Sequence, residues 1–466
     1  MNRPLSFFLF LFIYFLSFSL PAEKVSEKAS IFYKNSLNYE KKGQIDRAIS
    51  EAIKAESLDP SYWRYSWHLG ELYLYHKKDG EKCLKAYTDA IQKGYDQPIS
   101  YHKQAHCYYE MQSYAESIDH FLLSIEKNKI RLKNSEAEKN IKDADHARYQ
   151  IGDSYSWLAH LYIKKERFLS SYEAAKETEK YDPDKRNLSV MLHDGISRVL
   201  YNAISYGNLE RALELCKEEE KIVSRYGREP DPRIPRKTLC TLIEKRIRLG
   251  KIQPVYTHKI TVFYFRHLET KYSWKNKIIT INRKMTEAEQ RTSIIYMNVL
   301  SMMIESMSDG KLSLAWERIY LSGPLKDVVP NESKEEVSPV FNSHPEFIKQ
   351  YKKKMDTLDT AYFIWNGPTG EAKGGSGKIA GIPPVRGFVV IHPEHSMGIW
   401  LHEFFHVVEN IAGISPSHGY YKQQRKYFPA WKGETGNQTD YFHWHFQTSV
   451  KNFGYEKIRF SEADLH

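Results

Sequence analysis

The sequence predicts a multidomain protein in which an all-α helical-repeat solenoid is followed by an α/β or α+β domain. Three observations carry this. The chain has 466 residues, more than one ordinary domain holds. A spacing of about 34 residues recurs through the first half. After Gly250 that spacing stops, and runs of β-branched and aromatic residues alternate with helical patterns. The composition, 41% hydrophobic and 27% charged, is that of a folded chain and excludes a disordered, collagen-like or polytopic membrane protein. Lys and Arg number 68 against 58 Asp and Glu, a net charge of +10. That excess is spread along the chain with no dense basic tract, so no nucleic-acid partner is expected.

Residues 1–22 read as a signal peptide. Arg3 precedes an apolar run from Leu5 to Leu20, and Ala22 offers a small residue at the cut before charged Glu23 and Lys24. The run is short for a spanning helix, which needs about 20 apolar residues. The expectation is an exported protein, periplasmic or extracellular, with no stable membrane span after cleavage. Four cysteines, Cys83, Cys107, Cys216 and Cys240, form two pairs separated by 24 residues each. They are either disulfides of an oxidising compartment or small buried hydrophobes between helices.

Residues 29–250 hold the repeats. Ser36, Tyr39, Gly43, Ala48, Ala52, Ala55 and Pro60 recur at the same offsets as Ala159, Tyr162, Glu166, Ser171, Ala175, Thr178 and Pro183. Gly70, Tyr73, Cys83, Tyr87 and Ala90 follow the pattern with one residue inserted, and Ala105, Tyr108, Ser117, Phe121 and Ser124 follow it again. Leu200, Ala203, Gly207, Ala212, Cys216 and Glu219 make a weaker fifth unit, and a helix from about Pro235 to Leu249 caps the stack. Small residues let antiparallel helices approach, a Tyr fills the groove, Gly turns the chain and Pro ends the second helix. An insertion near 129–150 is charged and lacks Pro, so it lengthens the helices or forms a solvated loop. The pattern resembles the tetratricopeptide repeat. The resemblance implies a concave face that binds a protein or peptide partner, or an array that merely orients the next domain.

Residues 251–466 form the second domain. Strands are expected at 260–265, 312–321, 361–365 and 387–391, and helices at 286–306 and 345–358. The stretch 370–381 contains GGSGK, but Lys378 is followed by Ile379, which breaks the order of a phosphate-binding loop. It reads as a flexible loop bordering a cleft.

The chemistry lies in His402-Glu403-Phe404-Phe405-His406. On a helix the two histidines stand one turn apart on one face, a spacing that fits two imidazoles to one Zn2+ ion, with Glu403 placed as general base. Ile399, Trp400, Phe404, Phe405, Val407 and Val408 make this a largely buried helix, where polar side chains need partners or a metal to offset desolvation. The plain alternative is a polar stripe facing water. The segment resembles the active-site helix of zincin metallopeptidases. By that resemblance Glu403 is catalytic and His402 and His406 are zinc ligands.

His418 is assigned as the third ligand: a helix stop at Gly413 and a bend at Pro416 can fold the chain back, and imidazole is a common catalytic-zinc ligand. Glu409, on the ligand face of the helix, and Asp440 are the alternatives, and Glu409 has a further reading as an orienting partner of a ligand histidine. The metzincin pattern fails because Glu409 and Ala412 occupy its Gly and His positions and no Met follows Met397. A gluzincin-type ligand would have to be Glu434, in a Gly-rich turn, and an aspzincin-type ligand Asp440. Tyr420, Tyr421, Tyr441 and His443 are candidates for stabilising a transition state, although a chain with 33 Tyr supplies such residues freely. The expected function is an exported zinc-dependent metallohydrolase acting on a protein or peptide substrate. The alternative is a non-catalytic repeat scaffold, or an envelope assembly factor with an inactive or structural metal site.

Overall fold

The structure, a computed structural model, describes residues 26–330, 337–354, 357–367, 373–377 and 385–411. The signal segment lies outside the described residues. Among those described, no helix is long and apolar enough to cross a membrane. The chain divides into two compact units, one of Met1–Tyr162 and Glu173–Arg186, the other of Ile163–Tyr172 and Asn187–His466.

The first unit is a stack of helical hairpins. Its helices are α1 (Glu27–Lys41), α2 (Ile45–Leu58), α3 (Trp63–Glu71), α4 (Gly80–Gln92), α5 (Pro98–Glu110) and α6 (Tyr114–Ala137). To these belong most of α7 (Ile141–Lys164) and of α8 (Phe168–Tyr181). The small repeat residues sit where helices touch: Ala48, Ala52, Ala55, Ala90, Ala105, Ala159 and Ala175 are all buried. Ser36, in the first hairpin, and Ser117, in the third, play equivalent parts. The Ser36 hydroxyl donates to the carbonyl of Ala48 at 2.7 Å and that of Ser117 to the carbonyl of Ala105 at 2.8 Å, so each buried hydroxyl is satisfied by its partner helix. Gly70 is needed for close approach, because an added Cβ would lie 2.8 Å from the Tyr87 ring. The residue inserted in the second repeat is absorbed by a π-helical turn, Leu72–Lys77, which is how an α-helix takes up one extra residue. The 129–150 insertion lengthens α6 and α7 to 24 residues each.

Cys83 and Cys107 join α4 to α5, and Cys216 and Cys240 join two helices of the second unit, with Cα separations of 5.8 and 5.6 Å. These are bonding distances, so the disulfide reading stands over the buried-thiol one. In the purified, unreduced chain none of the 4 cysteines is expected to react with a maleimide, and all of them should react after reduction and denaturation. A titratable thiol in the unreduced, denatured protein would contradict the pairing.

The second unit begins with helices α9 (Leu188–Ser205), α10 (Leu209–Tyr226) and α11 (Arg236–Leu249), which their sequence spacing groups with the repeats. They pack in series, and α9 and α11 also pack on α12 (Glu287–Met307). At their centre Glu219 and Arg236, both essentially inaccessible, pair at 2.9 Å. Glu219 also accepts from Ser197 and meets His193 Nδ1 at 3.1 Å, and Arg236 reaches Tyr201 at 3.3 Å.

A five-stranded sheet follows, in the order β4 (Leu312–Leu321), β1 (Tyr256–Phe265), β7 (Thr360–Trp365), β9 (Val385–Ile391) and β8 (Lys373–Gly377). The first four strands are mutually parallel and coincide with the four expected strands; β8 runs antiparallel at the edge. Alternation divides the side chains between two faces. Phe263, Phe363 and Trp365 belong to the cluster with Phe347 and Tyr351 of α13 (Pro345–Lys354). On the other face Tyr264 hydrogen-bonds Ser293 of α12 at 2.9 Å, and Tyr362 stacks on Trp400 of α14 (Met397–Ile411). The result is an α/β sandwich with helices on both faces, which explains why β7 is buried along its whole length.

Two short ribbons complete the unit: β2 (His267–Trp274) with β3 (Lys277–Lys284), and β5 (Val328–Pro330) with β6 (Val337–Pro339). One expectation is corrected. The glycine-rich stretch is not a loop throughout, because Lys373–Gly377 pairs with β9 as an edge strand. Strand pairing uses main-chain groups, and glycines make those bonds without the side chains by which a strand is recognised.

Candidate active site

Helix α14 leaves the carboxyl end of β9 and packs on β8, β9 and α12. Two constraints set its position. At its start the Gly398 N–H donates to the Asp231 carboxylate at 2.9 Å, and a side chain at Gly398 would strike that carboxylate. Along its length an added Cβ at Gly387 of β9 would overlap Val407, so the helix lies as close to the sheet as a glycine permits. Trp400, Leu401, Phe404, Phe405 and Val407 are buried. Trp400 lies between Tyr296 and Tyr362, and Phe404 packs edge-on against His258.

On this helix the His402 and His406 rings meet, with Glu403 on the same turn. The histidine Nε2 atoms stand 3.1 Å apart and the ring centroids 4.5 Å. His402 is half-buried, whereas Glu403 and His406 are 6% and 5% exposed. The field of Glu403 is felt at Tyr362, whose hydroxyl is held well above its usual pKa first by burial and then by that carboxylate. Two Zn–N bonds of about 2.05 Å at the tetrahedral angle place their nitrogens about 3.3 Å apart. The observed separation is close to that, so the pair fits a common cation.

The separation alone does not distinguish a ligand pair from a hydrogen-bonded one. His102 and His106 on α5 show the same 3.1 Å between Nε2 atoms. There His102 Nε2 also meets Asp153 at 3.2 Å and Nδ1 meets Ser154 at 2.9 Å, so neither nitrogen of that ring is left for a metal. Lys103 stands where α14 has Glu403. What sets α14 apart is the buried carboxylate beside its first histidine.

Glu409 lies on α14, but its side chain is outside the described residues, as are His418, Asp440, Glu434, His443, Tyr420, Tyr421 and Tyr441. One cluster escaped the sequence reading. Glu289, His392 and Glu394 bring potential ligand atoms within 4.8 Å of one another. Glu289 closes the capping box of α12 and accepts from Thr286 and from Arg283. His392 Nδ1 accepts from the Glu394 N–H at 3.1 Å, so the neutral ring carries its proton on Nε2 and has no lone pair to give. That cluster is a cap with a histidine against it. The Thr286-x-x-Glu289 spacing was its readable signal.

No protein-family model matches the chain, and no curated protein does. Among solved structures the chain is similar to a MamA protein, with 16% identity and a TM-score of 0.31 over 44% of this chain and 99% of that one. It is also similar to YrrB, described as a TPR protein with an unusual peptide-binding site, at 14% identity and TM-score 0.29 over 42% of this chain and 86% of that one. PilF of Pseudomonas aeruginosa is similar at 12% identity and TM-score 0.30, over 47% of this chain and 83% of that one.

Proposed function

We propose that the chain is an exported zinc-dependent peptidase whose helical repeats hold a polypeptide and whose α/β unit cuts it. The carrying observation is the set His402, Glu403 and His406 on α14, with two imidazole nitrogens at a separation suited to one cation and a buried glutamate on the same helical turn. His402 and His406 would hold Zn2+, with His418 proposed as the third ligand and Glu409 or Asp440 as alternatives. When bound, zinc supplies Lewis acidity and brings the pKa of water in its coordination sphere toward neutrality. Glu403 takes the proton from the attacking water and passes it to the leaving amine nitrogen. Burial favours this role, since a carboxylate away from bulk water keeps the proton within the site.

The edge strand beside α14 supports a peptide substrate. One side of β8 pairs with β9 and the other ends the sheet among the described residues, and an extended peptide can add to such an edge through main-chain hydrogen bonds. Export is supported by the two cystine pairs, which persist in oxidising compartments, and by the apolar leader.

A non-catalytic repeat scaffold is the second reading, favoured by the His102–His106 pair, which reaches the same separation by hydrogen bonding alone. Hydrolysis of an unstructured protein such as casein by the full chain tests the two. A peptidase cleaves, stops on chelation and recovers with zinc; a scaffold leaves the substrate intact under all three conditions.

A further inference from the structure

The β2–β3 ribbon has its base on the core and its tip in solvent. Leu268 belongs to the aromatic cluster under the sheet, and Tyr272 and Ile281 pack against that cluster, which fixes the base. Beyond them Ser273, Lys275, Asn276, Lys277 and Ile278 are all exposed. Ile278 is 69% exposed and stands opposite Ser273 across the ribbon. Lys275 lies over the Trp274 ring, its Nζ 4.2 Å from the centroid, so the indole holds an ammonium group at the turn. The turn is also strained. Lys275 and Asn276 have φ of 46° and 63°, the left-handed backbone that Gly and Asn adopt at least cost. A lysine held there is out of its preferred conformation, and strain of this kind concentrates where a side chain serves a function.

The charge of the ribbon is one-sided. From Thr270 to Lys284 the sequence holds Lys271, Lys275, Lys277, Arg283 and Lys284 and no Asp or Glu. Arg283 pairs with Glu289, whereas the four lysines have no ion-pair partner among the described residues. Glu269, at the base, is four residues from Ser273, about 13 Å along the strand and beyond the ~8 Å reach of charge at physiological salt. A nucleic acid would engage the lysines and leave Ile278 in water. An apolar protein face would cover Ile278 and strip the ammonium groups of water without pairing them. The surface of an anionic bilayer takes both, since an apolar side chain enters the headgroup boundary while lysines stay with the lipid phosphates. We infer that the β2–β3 tip docks the protein on a bilayer surface that contains anionic phospholipid, with Ile278 entering the interface and Lys275 and Lys277 meeting phosphates. The inference is independent of zinc and of Glu403.

Co-sedimentation of the mature chain, residues 23–466, with lipid vesicles tests this. Vesicles of phosphatidylcholine mixed with phosphatidylglycerol should bind it about tenfold or more better than phosphatidylcholine alone, since each lysine at an anionic surface contributes about fivefold. That preference should fade as salt rises from about 0.1 M to about 1 M and the Debye length falls from about 10 Å to about 3 Å. Lys275→Glu/Lys277→Glu should weaken binding to the mixed vesicles by about 25-fold or more, and Ile278→Ser by about fivefold. Lys352→Glu/Lys353→Glu makes the same change of charge on exposed residues of α13 and should leave binding within about twofold. All these positions are exposed, so each variant should keep the native circular dichroism. Failure to sediment with the mixed vesicles overturns the proposal. So does equal binding to neutral vesicles, or an equal loss in the two charge variants, which would assign the effect to net charge. Binding to heparin without binding to vesicles would make the tip a polyanion site and overturn it as well.

Discussion

Glu403→Gln is expected to lower peptide hydrolysis by about 10²- to 10⁴-fold, the range of a lost general base, with zinc content unchanged. Glutamine keeps the size and polarity of the side chain, so α14 should pack as before against Tyr362 and the sheet. It cannot take a proton at neutral pH. The reading is made from kcat and zinc content together: activity lost with zinc retained assigns the proton transfer to Glu403. If activity persists, the base lies elsewhere and the proposed mechanism fails.

The second large effect is on stability. Replacing Arg236 with Leu strands the Glu219 carboxylate in a site that is 0% exposed, with only the donors from His193 and Ser197 left. Breaking a buried ion pair from one side costs about 3–5 kcal/mol, which lowers a melting midpoint by about 10 °C in a unit of this size. The double variant Arg236→Leu/Glu219→Leu should recover much of the loss, because no buried charge is then unpaired. Thermal melts of the wild type, each single variant and the double variant check this. A single variant that melts with the wild type would show that the pair carries no such energy.

The parts of this molecule legible in sequence are those whose signal is local. Strands β1, β7 and β9 announce themselves because burial on both faces demands continuous apolar runs, as in 260–265, and the half-exposed outer strand β4 shows instead through its β-branched and aromatic residues. The π-turn at Leu72–Lys77 was visible as one extra residue in an otherwise regular repeat. The β2–β3 hairpin was not, because Lys275 and Asn276, both at positive φ, make its turn without the Asn-Gly pair that marks one. The β8 edge was hidden by its glycines. Helices α9–α11 carry a repeat-like spacing, but their place in the second unit depends on packing against α12, which lies far along the chain. The same division runs through the site. His402, Glu403 and His406 are one turn of one helix and need only the helical period, whereas a third ligand comes from separate chain and is fixed by tertiary folding.

The most direct test is the zinc content of the purified full chain after dialysis against zinc and then buffer, measured beside His402→Ala, His406→Ala and Glu403→Gln. The account predicts about one zinc per chain in the wild type and in Glu403→Gln, and its loss in both histidine variants. A wild-type chain that retains no zinc, or histidine variants that retain it, would contradict the assignment of α14 as a metal-binding helix.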